Sequence, residues 1–120
     1  MTSLVACLST GKGTWTEVVK LIKTGKFEKV FLVTNQFGKD TFKSSDVEMI
    51  VVDSSKDYNG LIDDIKDGLK GKILDTEVAV NLVSGTGKEH MAIMGALLQL
   101  GLGLRFVVAT ETGVQELNFC

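Results

Sequence analysis

The feature that decides the fold of this chain is residues 81–91, NLVSGTGKEHM. An apolar segment passes through a glycine-rich turn into a second segment that is apolar almost all round, which is typical of a strand, a turn and a helix. Thr86 and Glu89 have the Thr-x-x-Glu spacing of a capping box, so the helix should begin just after Thr86. Its first backbone amides then have no acceptor within the helix and point into the turn. Gly85 and Gly87 would let an anion approach that backbone closely.

Lys88 is the second indication of an anion site. A cation in the first helical turn opposes the helix dipole by roughly 0.3–1 kcal/mol, and a bound anion would remove that conflict. The simpler interpretation is that Lys88 points into water. Residues 4–17, LVACLSTGKGTWTE, favour the anion, because they repeat the arrangement of strand, glycine-rich turn with a lysine, and Thr-x-x-Glu helix start at Thr14. Two such turns predict one anionic ligand held between two helix N-termini.

Composition limits the class of protein. A chain of 120 residues with 44% hydrophobic and 23% charged residues predicts one globular domain over residues 1–120. The net charge of −2 excludes a generally basic nucleic-acid surface, so we expect no duplex DNA binding. Cys7 and Cys120 do not form a disulfide framework, which favours a reducing, cytoplasmic location. No signal-peptide pattern is present, and residues 91–109 predict a buried helix followed by a strand and not a membrane span.

Hydrophobic periodicity places the elements along the chain. The predicted strands are Leu4–Leu8, Val30–Val33, Val47–Val52, Val78–Val83, Leu104–Ala109 and Val114–Phe119. The predicted helices are Trp15–Thr24, Tyr58–Leu69 and Gly87–Leu100, and Thr34–Ser45 is a polar stretch between two strands.

The strands are near-continuous runs of Val, Ile, Leu and Phe, as expected when helices cover both faces of a sheet. Their alternation with helices predicts an α/β fold, a Rossmann-like doubly wound sheet in a three-layer α/β/α arrangement. Right-handed crossovers predict a mainly parallel sheet with the order 3-2-1-4-5, numbered along the chain, plus an antiparallel edge strand. Ligands in such sheets bind where the strand order reverses, here between strands one and four. Both glycine-rich turns follow these two strands, so topology and motifs predict one site.

The common nucleotide motifs do not fit these turns. Leu82 and Glu89 occupy two positions where a Walker A loop needs glycine and Ser or Thr. Thr16 replaces the third glycine of the dinucleotide fingerprint, and Asn35 stands where an acidic ribose ligand would be expected. The acidic residues of helix 58–69 predict a solvated face, because no His or Cys accompanies them. We therefore expect no metal site and no resident cofactor.

The two turns do resemble a known family. Residues 84–91, SGTGKEHM, resemble the Gly-Thr-(x)-Lys-x-x-Met signature of CRISPR-associated Rossmann-fold (CARF) domains, and residues 9–14, STGKGT, are similar to that family's Ser/Thr- and Gly-rich first motif. The element order matches over essentially the whole chain. The sequence differs from the commonest form of the signature by having Gly87 between Thr86 and Lys88.

The resemblance implies a homodimer that binds a cyclic oligoadenylate second messenger, with the tetra-adenylate favoured, across its two-fold axis in type III CRISPR antiviral signalling. A ring with two-fold symmetry suits an isologous dimer. The apolar helix from Met91 onward would supply the dimer contact, although burial within one subunit explains its composition almost as well. Three interpretations remain open: a stand-alone ring nuclease, a non-catalytic sensor or sponge module, and an unrelated nucleotide-binding α/β protein. A further alternative is that the chain is the sensor half of a larger protein.

The resemblance also implies roles for residues. In a ring nuclease Lys88 would face the scissile phosphate and Ser9 or Thr10 would orient the ribose or phosphate, with no metal required. The ligand-binding set would comprise Gly11, Lys12, Gly13, Thr14, Ser84, Gly85, Thr86, Gly87 and His90, Lys12 being included by its position alone. His90 is either a general acid or base or a partly buried helix residue without a catalytic role. Phe37, Lys39, Phe42 and Lys43 form either a lid that stacks on adenines or a surface loop.

Overall fold

The order of elements follows the predicted alternation, with one helix added. The computed structural model describes residues 2–9, 14–42 and 46–117. Its elements are β1 (Leu4–Leu8), α1 (Trp15–Thr24), β2 (Val30–Thr34), α2 (Gln36–Thr41), β3 (Glu48–Val51), α3 (Tyr58–Leu69), β4 (Glu77–Asn81), α4 (Gly87–Gln99), β5 (Gly103–Thr110) and β6 (Gly113–Glu116). The predicted bounds of β1, α1 and α3 are confirmed. The remaining predicted bounds differ by one to three residues at one or both ends, and the predicted end of the edge strand lies outside the described residues.

The sheet has the order β3-β2-β1-β4-β5-β6. All neighbouring strands pair in parallel except β5 and β6, which are antiparallel. At the centre, Ala6 of β1 is in register with Leu32 of β2 on one side and Asn81 of β4 on the other. The predicted doubly wound order with an antiparallel edge strand is confirmed, and the reversal falls between β1 and β4.

The core consists of two apolar layers, one on each face of the sheet. Alternate residues of β1 point to opposite faces, as the period of two in a strand requires. Val5 and Cys7 pack with α3 and α4, whereas Leu4, Ala6 and Leu8 pack with α1. Because every residue of β1 is buried, its composition is apolar throughout. The predicted three-layer α/β/α arrangement is confirmed.

Helix α2 lies within the stretch that was predicted only as a polar segment. The Asn35 side chain accepts a hydrogen bond from the Gly38 amide at 2.8 Å and so caps the helix. Gly38 is buried against the end of β2, and a Cβ there would come within 1.9 Å of Thr34 Oγ1. Six residues rich in polar side chains give no apolar stripe, so the cap and the close packing at Gly38 define this helix.

The start of α1 corrects a second expectation. Thr14 is the N-cap, but its ψ of −9° is helical and its side chain makes no capping hydrogen bond. A capping box needs an extended backbone at this position, which would point the hydroxyl at the amide three residues later. Thr14 Oγ1 and Glu17 Oε2 are buried without a hydrogen-bond partner among the described residues. The predicted Thr14–Glu17 capping box is therefore wrong.

Helix α4 is apolar on its inner face and partly on its outer face. Ala92, Ile93, Ala96 and Leu97 are buried, and the helix packs against α3. On the outer face Met91 is 65% exposed and Leu98 is 61% exposed.

Within residues 2–9, 14–42 and 46–117 there is no helix whose length and apolar character would let it cross a bilayer.

Candidate anion-binding site at the centre of the sheet

The two glycine-rich turns meet at the carboxyl edge of the sheet. Ser9 follows β1 and Ser84 lies in the turn after β4, and the Ser9 amide donates a hydrogen bond to Ser84 Oγ at 3.3 Å. Both serines are buried. Only the first residue of the first turn can be placed in this way, because the predicted site residues Thr10, Gly11, Lys12 and Gly13 lie outside the described residues. The predicted proximity of the two turns is supported at its one describable contact.

The start of α4 has the geometry that the sequence predicts. The Glu89 amide donates to Thr86 Oγ1 at 3.2 Å, and the Thr86 amide donates to Glu89 Oε1 at 2.9 Å, which completes the capping box. The His90 amide, at 3.0 Å from the Thr86 carbonyl, makes the first bond of the helical ladder. The amides of Gly87 and Lys88 precede that bond, so the helix itself provides them with no acceptor.

The two glycines of this turn have different roles. Gly85 has φ +106°, which side chains rarely adopt, and a Cβ there would lie 2.5 Å from Cys7 Sγ. Gly85 is therefore needed for the backbone conformation and for packing. A Cβ on Gly87 would meet no atom of the described residues within 4 Å. The space beside the first helical amide is therefore open on the side where a Cβ of Gly87 would stand.

Glu89 connects three elements below the turn. Its side chain is 2% exposed. Oε1 accepts from Ser9 Oγ at 2.5 Å as well as from the Thr86 amide, and Oε2 accepts from Ser54 Oγ at 2.7 Å. Glu89 thus joins the end of β1, the β3–α3 loop and the start of its own helix. Sequence reasoning assigned Glu89 only to the cap and missed Ser54, although Ser54 follows a strand that ends at the same edge.

These contacts set the charge of the buried carboxyl group. Burial raises the pKa of Glu89, but the hydrogen bonds from Ser9, Thr86 and Ser54 outweigh it and leave the pKa below its ordinary value. The group is therefore ionised at neutral pH. Burial and the Glu89 charge together raise the pKa of Cys7 to about 12. The Cys7 thiol is accordingly protonated and a poor nucleophile.

Lys88 points neither into water nor into the turn. Its Nζ donates to the Ser54 carbonyl at 2.8 Å and also to the Lys56 carbonyl, and it lies 5.4 Å from the centroid of the Tyr58 ring. The carbonyl dipoles compensate the cation, which removes the conflict with the helix dipole without a bound anion. Lys88 and Glu89 together hold the β3–α3 loop, through the carbonyl and the hydroxyl of Ser54. A role for Lys88 at a scissile phosphate stays a prediction.

His90 holds the turn from the opposite side. Its Nε2 lies 2.7 Å from the Ser84 carbonyl oxygen, and because a carbonyl only accepts, Nε2 carries the proton. The ring is half-buried. This contact favours the interpretation of His90 as a partly buried residue without a catalytic role.

A cleft of about 670 Å³ lies between the start of α2 and the β3–α3 loop. It is lined by Asn35, Gln36, Phe37, Val51, Val52, Asp53, Ser54, Ser55, Lys56 and Asp64. Ser54 belongs both to this cleft and to the contacts of Lys88 and Glu89, so the cleft adjoins the start of α4. The sequence pattern gave no indication of the cleft, because its two walls come from segments that are separate in the chain.

The structure describes three of the four residues predicted as an alternative lid, and these three lie in different surroundings. Phe37 is 54% exposed at the wall of the cleft, with its ring centroid 6.1 Å from that of Trp15. Phe42 is half-buried and packs edge-on against Trp15 at 6.3 Å, as part of the core on the α1 face. Lys39 is exposed, and Lys43 lies outside the described residues. Among the three described residues of this set, Phe37 alone lines the cleft.

Chemically, the described residues at this edge of the sheet provide backbone amides, hydroxyl groups, the buried carboxylate of Glu89 and the ammonium group of Lys88. No cluster of three or more His, Cys, Asp or Glu side chains that could hold a metal ion occurs in the part of the chain that the structure describes.

Neither a scan against protein-family models nor a search of curated proteins finds a match to this chain.

Proposed function

We propose that this chain binds a cyclic oligoadenylate, with the tetra-adenylate favoured, as a messenger receptor in type III CRISPR signalling. The single observation that carries the proposal is the hydrogen bond from the Ser9 amide to Ser84 Oγ at 3.3 Å. It joins the turns after β1 and β4 at the point where the strand order reverses. Doubly wound sheets bind their ligands in the crevice at this point, so a phosphate there can contact both turns.

The start of α4 supports an anionic ligand at that point. The amides of Gly87 and Lys88 precede the first bond of the helix, the space beside Gly87 is open, and the helix dipole favours negative charge. The Glu89 carboxylate opposes an anion, but Ser9, Ser54 and Thr86 all donate to it. Its charge is thereby partly compensated, and a cation from Lys88 or Lys12 would complete the site.

The outer face of α4 supports the proposed homodimer. Met91 and Leu98 are more than half exposed and lie on the same side of the helix, seven residues apart. A second copy packed on this face would present a second pair of turns by symmetry. A ring with two-fold symmetry would then contact the same residues of each protomer.

Cleavage of the ring would follow from positioning alone. The ribose 2′-hydroxyl loses its proton to water as its oxygen forms a bond to the adjacent phosphorus, the bond from phosphorus to the 5′-oxygen breaks, and that oxygen takes up a proton from water, so no net proton is consumed. The products are a 2′,3′-cyclic phosphate and a 5′-hydroxyl group. Lys88 would stabilise the charge that develops on the phosphate, which requires its ammonium group to reach the phosphate from the carbonyls of Ser54 and Lys56.

A binding module without catalysis is the second candidate, and a specific observation favours it. The Lys88 ammonium group already donates to two backbone carbonyls, and the His90 Nε2 proton is directed to the Ser84 carbonyl. Neither group is positioned for acid–base chemistry in this arrangement. A sensor or sponge needs only the amides and the open space at Gly87.

The test is incubation of the protein with radiolabelled cyclic tetra-adenylate in the presence of EDTA. Linear products would support the ring nuclease, and a gel shift with intact ligand would support the binding module. If neither is observed at protein concentrations up to the millimolar range, the chain is an unrelated nucleotide-binding α/β protein and the proposal is wrong.

A further inference from the structure

The cleft between α2 and the β3–α3 loop has the size of a ligand site. Pockets for small molecules occupy about 300–1,000 Å³, and this cleft has about 670 Å³. We call it the α2 cleft, defined by Asn35–Phe37, Val51–Lys56 and Asp64. It adjoins the proposed phosphate position through Ser54, which contacts both Lys88 and Glu89. A group joined to a phosphate at the start of α4 can therefore reach it.

One wall of the α2 cleft provides an aromatic surface. The Phe37 ring is 54% exposed, yet it packs at 6.1 Å against Trp15, which is itself buried. Trp15 is in turn held by Phe42. The position of the exposed ring is thus set by packing on the core. Stacking of a nucleobase on such a ring increases affinity by roughly five- to hundredfold.

The opposite wall carries the carboxylate of Asp53. Lys56 pairs with Asp64 at 2.7 Å, and the positive charges of Lys56 and Lys88 also act on Asp53. Asp53 Oδ1 accepts from the Ser55 amide at 3.0 Å and from Ser55 Oγ at 2.6 Å, and these bonds orient the carboxylate. Oδ2 is the oxygen left to accept from a ligand. A carboxylate acceptor at this wall favours a ring that carries N–H donors.

Asn35 supplies the complementary group. Its Oδ1 accepts from the Gly38 amide at 2.8 Å, so the assignment of its amide is set and the NH2 group remains as a donor. The α2 cleft therefore offers a carboxylate acceptor, an amide donor and an aromatic face. An adenine edge presents an exocyclic amine as donor next to a ring nitrogen as acceptor, which matches this combination.

We infer that the α2 cleft binds an adenine base, which stacks on Phe37 and donates its exocyclic amine to Asp53. The inference rests on the proposed function, since it places one base of the ligand whose phosphate lies at the start of α4. Asp53 is then the residue that selects an amino-bearing base, and Phe37 supplies affinity for any planar base.

The first experiment uses a nucleoside without phosphate, so that it tests the cleft by itself. The full chain labelled with ¹⁵N is titrated with adenosine and, separately, with purine riboside, which lacks the exocyclic amine. We expect saturable shifts of the amides of residues 35–37 and 53–56 with adenosine, and about tenfold weaker binding of purine riboside. Absence of saturable shifts at these amides with adenosine would overturn the inference.

Two variants and a control assign the roles. Phe37→Leu should weaken the binding of adenosine by about tenfold, because the substitution removes the stacking surface from a half-exposed position. Asp53→Asn should bring the affinities for adenosine and purine riboside to within about twofold of each other. Asp67→Asn on the exposed face of α3 makes the same change of charge outside the cleft and should bind like the unaltered chain. Equal adenosine affinities for Phe37→Leu and Asp67→Asn would contradict the assignment, and unfolding curves establish that each variant is folded.

Binding of cyclic tetra-adenylate separates this inference from the proposed function. If the unaltered chain binds the ring and both cleft variants bind it equally well, the inference is wrong and the proposed function stands. If the unaltered chain fails to bind the ring, the proposed function is wrong, and the adenosine titration still decides whether the cleft is a nucleoside site.

Discussion

The starts of α1 and α4 carry the same Thr-x-x-Glu sequence and have different structures. Thr86 has an extended backbone with ψ of 162°, and its side chain and that of Glu89 form a reciprocal capping box. Thr14 has a helical ψ of −9° and makes no capping bond. The spacing of the motif permits the cap but does not fix the backbone of the N-cap residue, and the two glutamates also differ in their surroundings. Ser9 and Ser54 surround Glu89, whereas Oε2 of Glu17 has no partner among the described residues.

The largest expected difference between the two helix starts concerns their glutamates. Glu89→Ala should lower the free energy of unfolding by about 3 kcal/mol, because the donors of Ser9, Ser54 and Thr86 lose their buried acceptor. Glu17→Ala should leave it unchanged or raise it, because Glu17 Oε2 is buried without a partner among the described residues and no such bond is lost. Urea unfolding of both variants measures the two changes. Equal losses would mean that the two starts are equivalent in solution and that the contrast between them is wrong.

The next effect separates the two glycines of the turn before α4, of which Gly85 is needed for packing and Gly87 borders open space. Gly85→Ala should cost about 2–3 kcal/mol, because it combines a positive φ with a contact at 2.5 Å to Cys7 Sγ. Gly87→Ala should leave stability unchanged or raise it by up to about 1 kcal/mol. The new methyl group would stand in the open space beside the first helical amide. The substitution should therefore weaken the binding of cyclic tetra-adenylate at least tenfold. A stable Gly87→Ala protein with undiminished affinity would place the ligand elsewhere.

A smaller effect is expected at Lys88, which has no described counterpart at the start of α1. Lys88→Ala should cost about 1–2 kcal/mol, because the carbonyls of Ser54 and Lys56 lose a charged donor. Amide hydrogen exchange of residues 54–57 should accelerate about tenfold or more. Lys26→Ala, at an exposed lysine between α1 and β2, is the matched control and should alter neither quantity. Unchanged exchange in Lys88→Ala would show that this lysine does not hold the loop.

The smallest effect is a pH dependence of stability that comes from Glu89 at the start of α4. The pKa of Glu89 is lowered in the folded protein from its ordinary value of 4.5, since its hydrogen bonds outweigh the effect of burial. The resulting stability is present above pH 4.5 and is lost as the pH falls through the lower, folded pKa. Urea unfolding between pH 6 and 3 should therefore show a shallower decline for Glu89→Gln than for the unaltered chain. Identical slopes for Glu89→Gln and the unaltered chain would contradict the shift at Glu89.

Much of the fold followed from local patterns, and the two wrong predictions concern features that the local sequence does not determine. The apolar stripe of α3 and the buried run of β1 each depend on residues within one element, so periodicity alone located them. Helix α2 was missed because its six residues carry no stripe and depend on Gly38 packing on β2. The predicted cap at Thr14 failed because spacing alone does not set the ψ of the N-cap residue.

The candidate site likewise has a part that the sequence predicted and a part that it did not. The chain's alternating strands and helices, together with the handedness of crossovers, were enough to bring the turns after β1 and β4 together. The partners of Glu89 and Lys88 were not accessible to that reasoning, because Ser9 is 80 residues from Glu89 and Ser54 is 34 residues from Lys88. Hydrogen bonds between residues so far apart in the sequence depend on the positions that the side chains take once the sheet and helices have packed. Periodicity is a property of neighbours in the chain, whereas the loop anchored by Lys88 and the α2 cleft exist only once distant segments share one edge.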